Sequence, residues 1–225
     1  MEIIEDIFGK ALIEYQLGNK KLFQFKINDT DIIDHDLSRY FRPKSKFSKT
    51  EQLIASLSKG KILDVGCGTG HHSVLLKNGK YTGLDISNGS IEIARANYKA
   101  EFVVGNIFNY RTNQKYDTIT LFENNMGLGG SIDKTIQLIK RLKGLLNIHG
   151  RVLMHSWGTG LKDYETIKLQ PLWNGYAGET IYWLIINDQF LKKLCYEYGF
   201  SMKIRFKNQY CYVAELGPRF RAPKI

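Results

Sequence analysis

From Lys61 onward the chain alternates short aliphatic runs with stretches of helical spacing, and that alternation leaves few folds open. The runs are KILDV at 61–65, YTGLDI at 81–86, EFVVG at 101–105, YDTITLF at 116–122 and GRVLMHS at 150–156. Helical stretches separate them. One is expected over 69–77, closed by Asn78 and Gly79, and a second runs from Ser87 or Asn88 to about Asn97. A third is capped by Ser131 and carries Ile132, Ile136, Ile139, Leu142 and Leu146 on one face. A fourth spans 188–198 and stops at Gly199. Strands that are apolar on both faces must be covered on both faces, which demands a mostly parallel sheet between two helical layers. Residues 202–207 and 211–216 read as a closing antiparallel hairpin. In such a sheet a ligand binds beyond the C-terminal ends of the strands.

The first of those strand ends is a bend of glycines. The run Gly66-Cys67-Gly68-Thr69-Gly70-His71 puts three glycines in five residues, and the next strand ends on Asp85. A glycine bend with a downstream acid can hold an adenosine, the acid accepting hydrogen bonds from both ribose hydroxyls. The spacing is G-x-G-x-G, and the third glycine position of the dinucleotide fingerprint G-x-G-x-x-G is occupied by the bulky ring of His71, which argues against a nicotinamide dinucleotide. The lysine and hydroxyl of a phosphate-binding P-loop are also missing.

The string LDVGCGTG, the acid at Asp85 and the strand order together resemble the class I S-adenosylmethionine-dependent methyltransferases. More narrowly, FGKALIEY, YFRP, Glu51 and ENNMGLGG resemble a broad bacterial and archaeal group without an assigned substrate. The resemblance covers roughly 50–156 and 187–216. It implies a Rossmann-like three-layer α/β sandwich with a seven-stranded, mostly parallel sheet and a reversed last strand, and it implies S-adenosyl-L-methionine as the cofactor. On that resemblance the bend (Gly66, Cys67, Gly68, Gly70, with His71) lies against the sulfonium ligand, where no Cβ obstructs it. Asp64 accepts from the N–H groups of the bend or faces the ligand's ammonium. Asp85 takes the ribose, with Ile86 beside it. Asn106 meets the adenine or, in its place, the backbone N–H of Ile107 reads the ring; the family usually has an Asp where Asn106 stands. Phe122, Tyr40 and Arg42 complete the ligand site, with Arg42 a candidate for its carboxylate.

Methyl transfer from a sulfonium is an in-line displacement that needs a base only for a protonated acceptor. Glu123, standing where the related group often has Gly, is the first candidate base and His155 the second. Asn124, Asn125 and Trp157 are candidates to hold the acceptor, with shaping of the loop the alternative for the two asparagines. No metal is expected, because no third ligand stands at a matching spacing from His71 and His72.

The 225 residues suit one domain with added segments. Residues 1–60 read as a helical cap and loops. Residues 61–225 read as the core, with an aromatic-rich insertion at 157–186 that serves as an acceptor lid or a dimer contact. Three scattered cysteines make no disulfide framework. An acidic start at 1–9 and the lack of a bilayer-length apolar run point to a cytoplasmic protein without membrane attachment, monomeric or homodimeric. Formal charge is +10. Most of the surplus lies in 140–225, where fourteen Lys and Arg face six Asp and Glu. Lys203, Arg205 and Lys207, with Arg219, Arg221 and Lys224 behind them, form a basic C-terminal face. The expected function is therefore methyl transfer to oxygen or nitrogen of a small molecule, with RNA or protein as the alternative acceptor and non-catalytic ligand binding as the third reading.

Overall fold

The computed structural model describes residues 5–160 and 162–219. Arg221 and Lys224 of the basic face lie outside the described residues. The central sheet is built from β3 (Gly60–Val65), β4 (Gly79–Asp85), β5 (Glu101–Val104), β6 (Tyr116–Leu121), β7 (Leu146–Ser156), β11 (Phe200–Lys207) and β12 (Tyr212–Pro218). Its order is β11-β12-β7-β6-β3-β4-β5. The pairings from β7 to β5 are parallel, and β12 enters antiparallel between β7 and β11. This is the seven-stranded, mostly parallel sheet with a reversed last strand.

Each helix starts where its sequence allows. α2 (Lys49–Leu57) carries a complete capping box, in which Ser48 accepts from the Glu51 N–H and Glu51 accepts from the Ser48 N–H. α3 (Asn88–Asn97), α4 (Ile132–Leu145) and α5 (Asp188–Glu197) are capped by Ser87, Ser131 and Asn187. The buried stripe of α4 is Thr135, Leu138, Ile139, Leu142 and Leu145, rotated slightly from the expected one, with Ile132 and Ile136 half-buried at its margin.

Two expectations are corrected. The segment 69–77 forms no α-helix; a single 3-10 turn at His71–Val74 carries the crossover from β3 to β4. The rings of His71 and His72 stack into an aromatic cluster and Leu76 enters the core, and these contacts override local helical preference. Residues 1–60 also hold more than helices and loops. After α1 (Ile7–Gln16), β1 (Phe23–Ile27) and β2 (Asp31–Asp34) form a hairpin whose turn places Asn28 and Asp29 at positive φ. That hairpin pairs with the aromatic insertion, itself strands β8 (Tyr164–Trp173), β9 (Tyr176–Ala177) and β10 (Ile181–Ile186). The two segments make one second sheet, in the path order β10-β8-β1-β2, so the cap and the insertion are parts of one structure. The loop after β6 packs on this sheet: a side chain at Gly127 would strike the Leu184 carbonyl, and one at Gly130 would strike Tyr182.

Candidate functional site

The bend after β3 is held from three sides. Gly66, Gly68 and Gly70 have φ of 73°, 54° and 73°, the left-handed region that side chains disfavour. Asn125 donates from Nδ2 to the carbonyls of Val65 (2.9 Å) and Gly66 (3.0 Å), so close that a Cβ on Gly66 would meet that amide. The space above Gly68 is open; a Cβ there would find only Tyr40, at 3.8 Å. Asp85 accepts from Gly68 N–H at 2.8 Å and from Ser87 N–H at 2.9 Å. One bond per oxygen leaves lone pairs for a further donor. Burial raises the Asp85 carboxyl above its ordinary value, against the lowering effect of those two N–H groups.

Asp64 is placed differently from its expectation. It is 1% exposed beneath the bend, and its oxygens accept from Thr120 Oγ1 (2.7 Å) and Tyr81 Oη (3.0 Å) rather than from the bend or toward a ligand. Burial raises its carboxyl. The Cys67 thiol is likewise buried, and burial pushes it up. Around the adenine position Ile86 is well exposed beside Asp85, but Ile107 sends its side chain into the core. Asn106 accepts from Phe108 N–H at 3.0 Å, a local turn that engages the oxygen expected to read a base.

A wall of aromatic and charged groups stands over the bend. Tyr40 lies above Gly68, tied by its carbonyl to Thr69 Oγ1 (2.6 Å) and by its hydroxyl to His35 Nε2 (2.9 Å). Burial lowers the His35 ring to about 4, so it stays neutral at physiological pH. His71 stacks on Phe47 with ring centroids 5.7 Å apart, and its buried Nε2 has no hydrogen-bond partner among the described residues. His72 stacks on Phe122 at 3.9 Å, which keeps the Phe122 side chain in the core rather than along the ligand.

Arg42 and Glu51 link this wall to His72 and to Glu123. Glu51 accepts from Arg42 Nη2 (2.7 Å), pairs with His72 Nε2 (2.8 Å) and accepts from Ser48 N–H (2.7 Å). Burial alone would raise Glu51, yet the hydrogen bonds from His72 and Ser48 outweigh it and hold the carboxyl at about 2. Glu51, His71 and His72 offer ligand atoms within 4.8 Å of one another, the geometry of a possible metal set that sequence spacing did not suggest. In this structure the Glu51 charge is already answered by Arg42. Arg42 also donates from Nε to the Arg39 carbonyl (2.8 Å) and so is committed to protein partners rather than held out for a ligand carboxylate. Its neighbour Arg39, which sequence reasoning missed, reaches Glu123 at 3.0 Å.

Glu123 and Asn124 both adopt left-handed backbone, with φ of 46° and 65°. Asn124 is fully buried, donating to the Leu184 carbonyl (3.0 Å) and accepting from Ser156 Oγ (2.6 Å). Both asparagines therefore shape the loop and are not presented to an acceptor. Glu123 turns instead to Arg39 and, at 3.9 Å, to Arg42, and is 33% exposed against 41% for Arg39. An ion pair so exposed contributes under about 1 kcal/mol. The Arg42–Glu51 pair, at 21% and 5% exposure, is of another kind; removing one partner of a buried pair costs roughly 3 kcal/mol or more. His155 at the end of β7 is 9% exposed, and its Nδ1 has no partner among the described residues. Burial lowers the ring's basicity, while the charges of Glu123 and Glu51 oppose that shift. Trp157, 42% exposed, meets it edge-on at 6.0 Å.

Two residues of the proposed basic face are in ion pairs, while Lys203 is exposed. Arg205 pairs with Glu215, Lys207 with Asp188 at 2.7 Å, and Arg219 lies over the Tyr196 ring at 3.6 Å.

A glycine bend at the first parallel strand, an acid at the end of the second and a reversed last strand define a class I, S-adenosylmethionine-dependent methyltransferase. The methyltransferase-domain family matches residues 56–192. The chain belongs to that family. A curated relative, the malonyl-[acyl-carrier protein] O-methyltransferase of Acetivibrio thermocellus, is 32% identical over 132 residues, covering 50% of this chain and 47% of the relative. The chain spans about half or less of the length of the curated relatives it matches. Among solved structures, an S-adenosylmethionine-dependent methyltransferase from Bacteroides fragilis, in complex with S-adenosyl-L-homocysteine, superposes with a TM-score of 0.87. That match covers 97% of this chain and 98% of that one at 22% identity. A sugar N-methyltransferase from Streptoalloteichus sp. superposes at 0.59 with 11% identity, over 84% and 95% of the two chains. No helix among the described residues is long and apolar enough to cross a membrane.

Proposed function

We propose that this enzyme methylates an oxygen or nitrogen of a small-molecule acceptor. The observation that carries the reading is the bend at the tip of β3: Gly68, at positive φ, leaves the space above it open beside the carboxylate of Asp85, while Gly66 and Gly70 let Asn125 and Phe102 pack against the bend. That surface fits the cofactor, because the space over Gly68 admits a ligand and Asp85 keeps lone pairs for two hydroxyls. When bound, S-adenosylmethionine supplies a methyl group on a sulfonium with its leaving group built in. Asp85 grips the ribose, Ile86 covers one face of the adenine, and Tyr40 closes over the bend. This chain's main contribution is alignment and exclusion of water, and alignment alone is worth on the order of 7–11 kcal/mol.

His155 is the proton acceptor in this reading. Its ring is neutral because burial disfavours the charged form, and Nδ1 lacks a protein partner. Glu123 favours the imidazolium that forms when the proton arrives, the same electrostatic effect that opposes the burial shift. Trp157 supplies an apolar wall for the acceptor. The curated relative named malonyl-[acyl-carrier protein] O-methyltransferase lends support to an oxygen acceptor, and the fold neighbour named a sugar N-methyltransferase shows the same fold serving a nitrogen. The RNA reading draws less support, since Arg205 and Lys207 are engaged in ion pairs.

The test is transfer of tritiated methyl from S-adenosylmethionine into a size-fractionated cell extract. Label in the small-molecule fraction is expected. Label confined to RNA or protein would overturn the acceptor class, and binding of S-adenosylhomocysteine without any transfer would indicate a non-catalytic binding protein.

A further inference from the structure

The crossover from β3 to β4 buries two adjacent histidines against an acid, and hydrogen bonding does not use up what they offer. Glu51, His71 and His72 are 3–4% exposed, and each can present one ligand atom, the three lying within 4.8 Å of one another. Spacing along the chain hides the set, because Glu51 belongs to α2 and meets His72 from 21 residues away. The Thr69 hydroxyl has one hydrogen and gives it to the Tyr40 carbonyl, so toward His71 Nδ1, at 3.3 Å, its oxygen can only accept. The His71 ring hydrogen therefore sits on Nδ1, and Nε2 keeps a lone pair. That buried atom meets no donor among the described residues. Burial holds the ring well below its ordinary basicity, so no proton takes the lone pair at neutral pH. A buried acceptor left this way carries a desolvation cost that a bound cation removes.

We propose that Glu51, His71 and His72 form a binding site for a divalent transition metal of the zinc class. Two imidazoles and a carboxylate are a donor set that zinc accepts, with a fourth position for water. The cation takes the place of the hydrogen between His72 Nε2 and Glu51 Oε1, now 2.8 Å apart, and gains His71 Nε2 as its third ligand. The His72 ring keeps its hydrogen on Nδ1. The supporting shell is in place: Thr69 sets the His71 ring, and Ser48 N–H holds Glu51 Oε2 so that Oε1 faces His72. Arg42 is the opposing charge, since its Nη2 shares Glu51 Oε1 at 2.7 Å. The same Nη2 already stands 3.9 Å from Glu123 Oε1, and it passes to that carboxylate as the cation enters. Bound there, the metal ties α2 to the residue that follows Gly70, a clamp on the glycine bend.

Cobalt is the probe, because four-coordinate Co²⁺ absorbs strongly in the visible. Chelator-treated protein is titrated with Co²⁺ and then with Zn²⁺, and thermal unfolding is followed alongside. The expected result is a visible band that saturates at one ion per chain, disappears as Zn²⁺ enters, and accompanies a higher melting temperature with either metal. His71→Phe keeps a ring stacked on Phe47 and removes the nitrogen; it should bind Co²⁺ at least a hundredfold more weakly and show no thermal gain. Glu51→Gln, of unchanged volume, should lose the band as well, and it decides the matter if His71→Phe does not fold. Absence of the band in the wild type, or full Co²⁺ uptake by either folded variant, overturns the proposal. So does uptake with only the pale spectrum of six-coordinate Co²⁺, which marks an adventitious surface ion.

Discussion

Removing the charge of Glu51 is the perturbation whose size the structure gives most directly. Glu51→Gln keeps the side-chain volume and an acceptor for Ser48 N–H, but leaves Arg42 and His72 facing a neutral amide. The folded carboxyl lies at about 2 against an ordinary 4.5. At about 1.4 kcal/mol for each tenfold, that difference corresponds to about 3 kcal/mol of stability at neutral pH. Because the folded value is the lower of the two, the contribution is complete above 4.5 and is lost as pH falls toward 2, with roughly half of it gone near pH 3. Urea unfolding of wild type and variant, with the slope m checked for constancy, measures the gap at each pH. The expected result is a variant weaker by about 3 kcal/mol at pH 7, a melting temperature lower by roughly 6–12 °C, and convergence of the two proteins in acid. A gap below about 1 kcal/mol at pH 7, or one that stays the same at pH 3, would refute the assignment of Glu51 as a buried carboxylate held ionised by His72 and Ser48.

Asp85→Ala should weaken S-adenosylhomocysteine more than a hundredfold by calorimetry; unchanged affinity would end the ribose assignment. His155→Gln should lower kcat by roughly 10²–10⁴ while cofactor affinity moves less than about threefold, and a variant with equal turnover would remove His155 as base. Glu123→Gln should slow turnover more than it weakens cofactor binding and shift the acidic limb of the rate–pH profile downward, since His155 loses a charge that raises its basicity; an unmoved profile would dissociate the two residues. Gly66→Ala should cost roughly 1–3 kcal/mol in thermal unfolding, because φ of 73° is strained for alanine and its Cβ displaces Asn125.

The bend and the sheet could be read from the chain because each rests on local physics. Positive φ asks for glycine, and Gly66, Gly68 and Gly70 supply it. A strand buried on both faces asks for an unbroken aliphatic run, and the helix caps at Ser48, Ser87 and Ser131 are written in hydroxyls that satisfy free N–H groups. Asp85 follows from counting along one strand. The helix expected over 69–77 failed because ring stacking of His71 and His72 outweighed a preference worth tenths of a kcal/mol per residue.

Tertiary structure alone decided the rest, and the reason is separation along the chain. β1 pairs with β8 across more than a hundred residues, so neither the cap nor the aromatic insertion announces the sheet they share. Arg39 meets Glu123 over 84 positions and Asn125 meets Val65 over 60, contacts that no local pattern encodes. Residue type told that an acid and two asparagines follow β6. Which of them turns out to the arginines and which braces the bend depended on backbone angles at Glu123 and Asn124 that only the packed loop imposes.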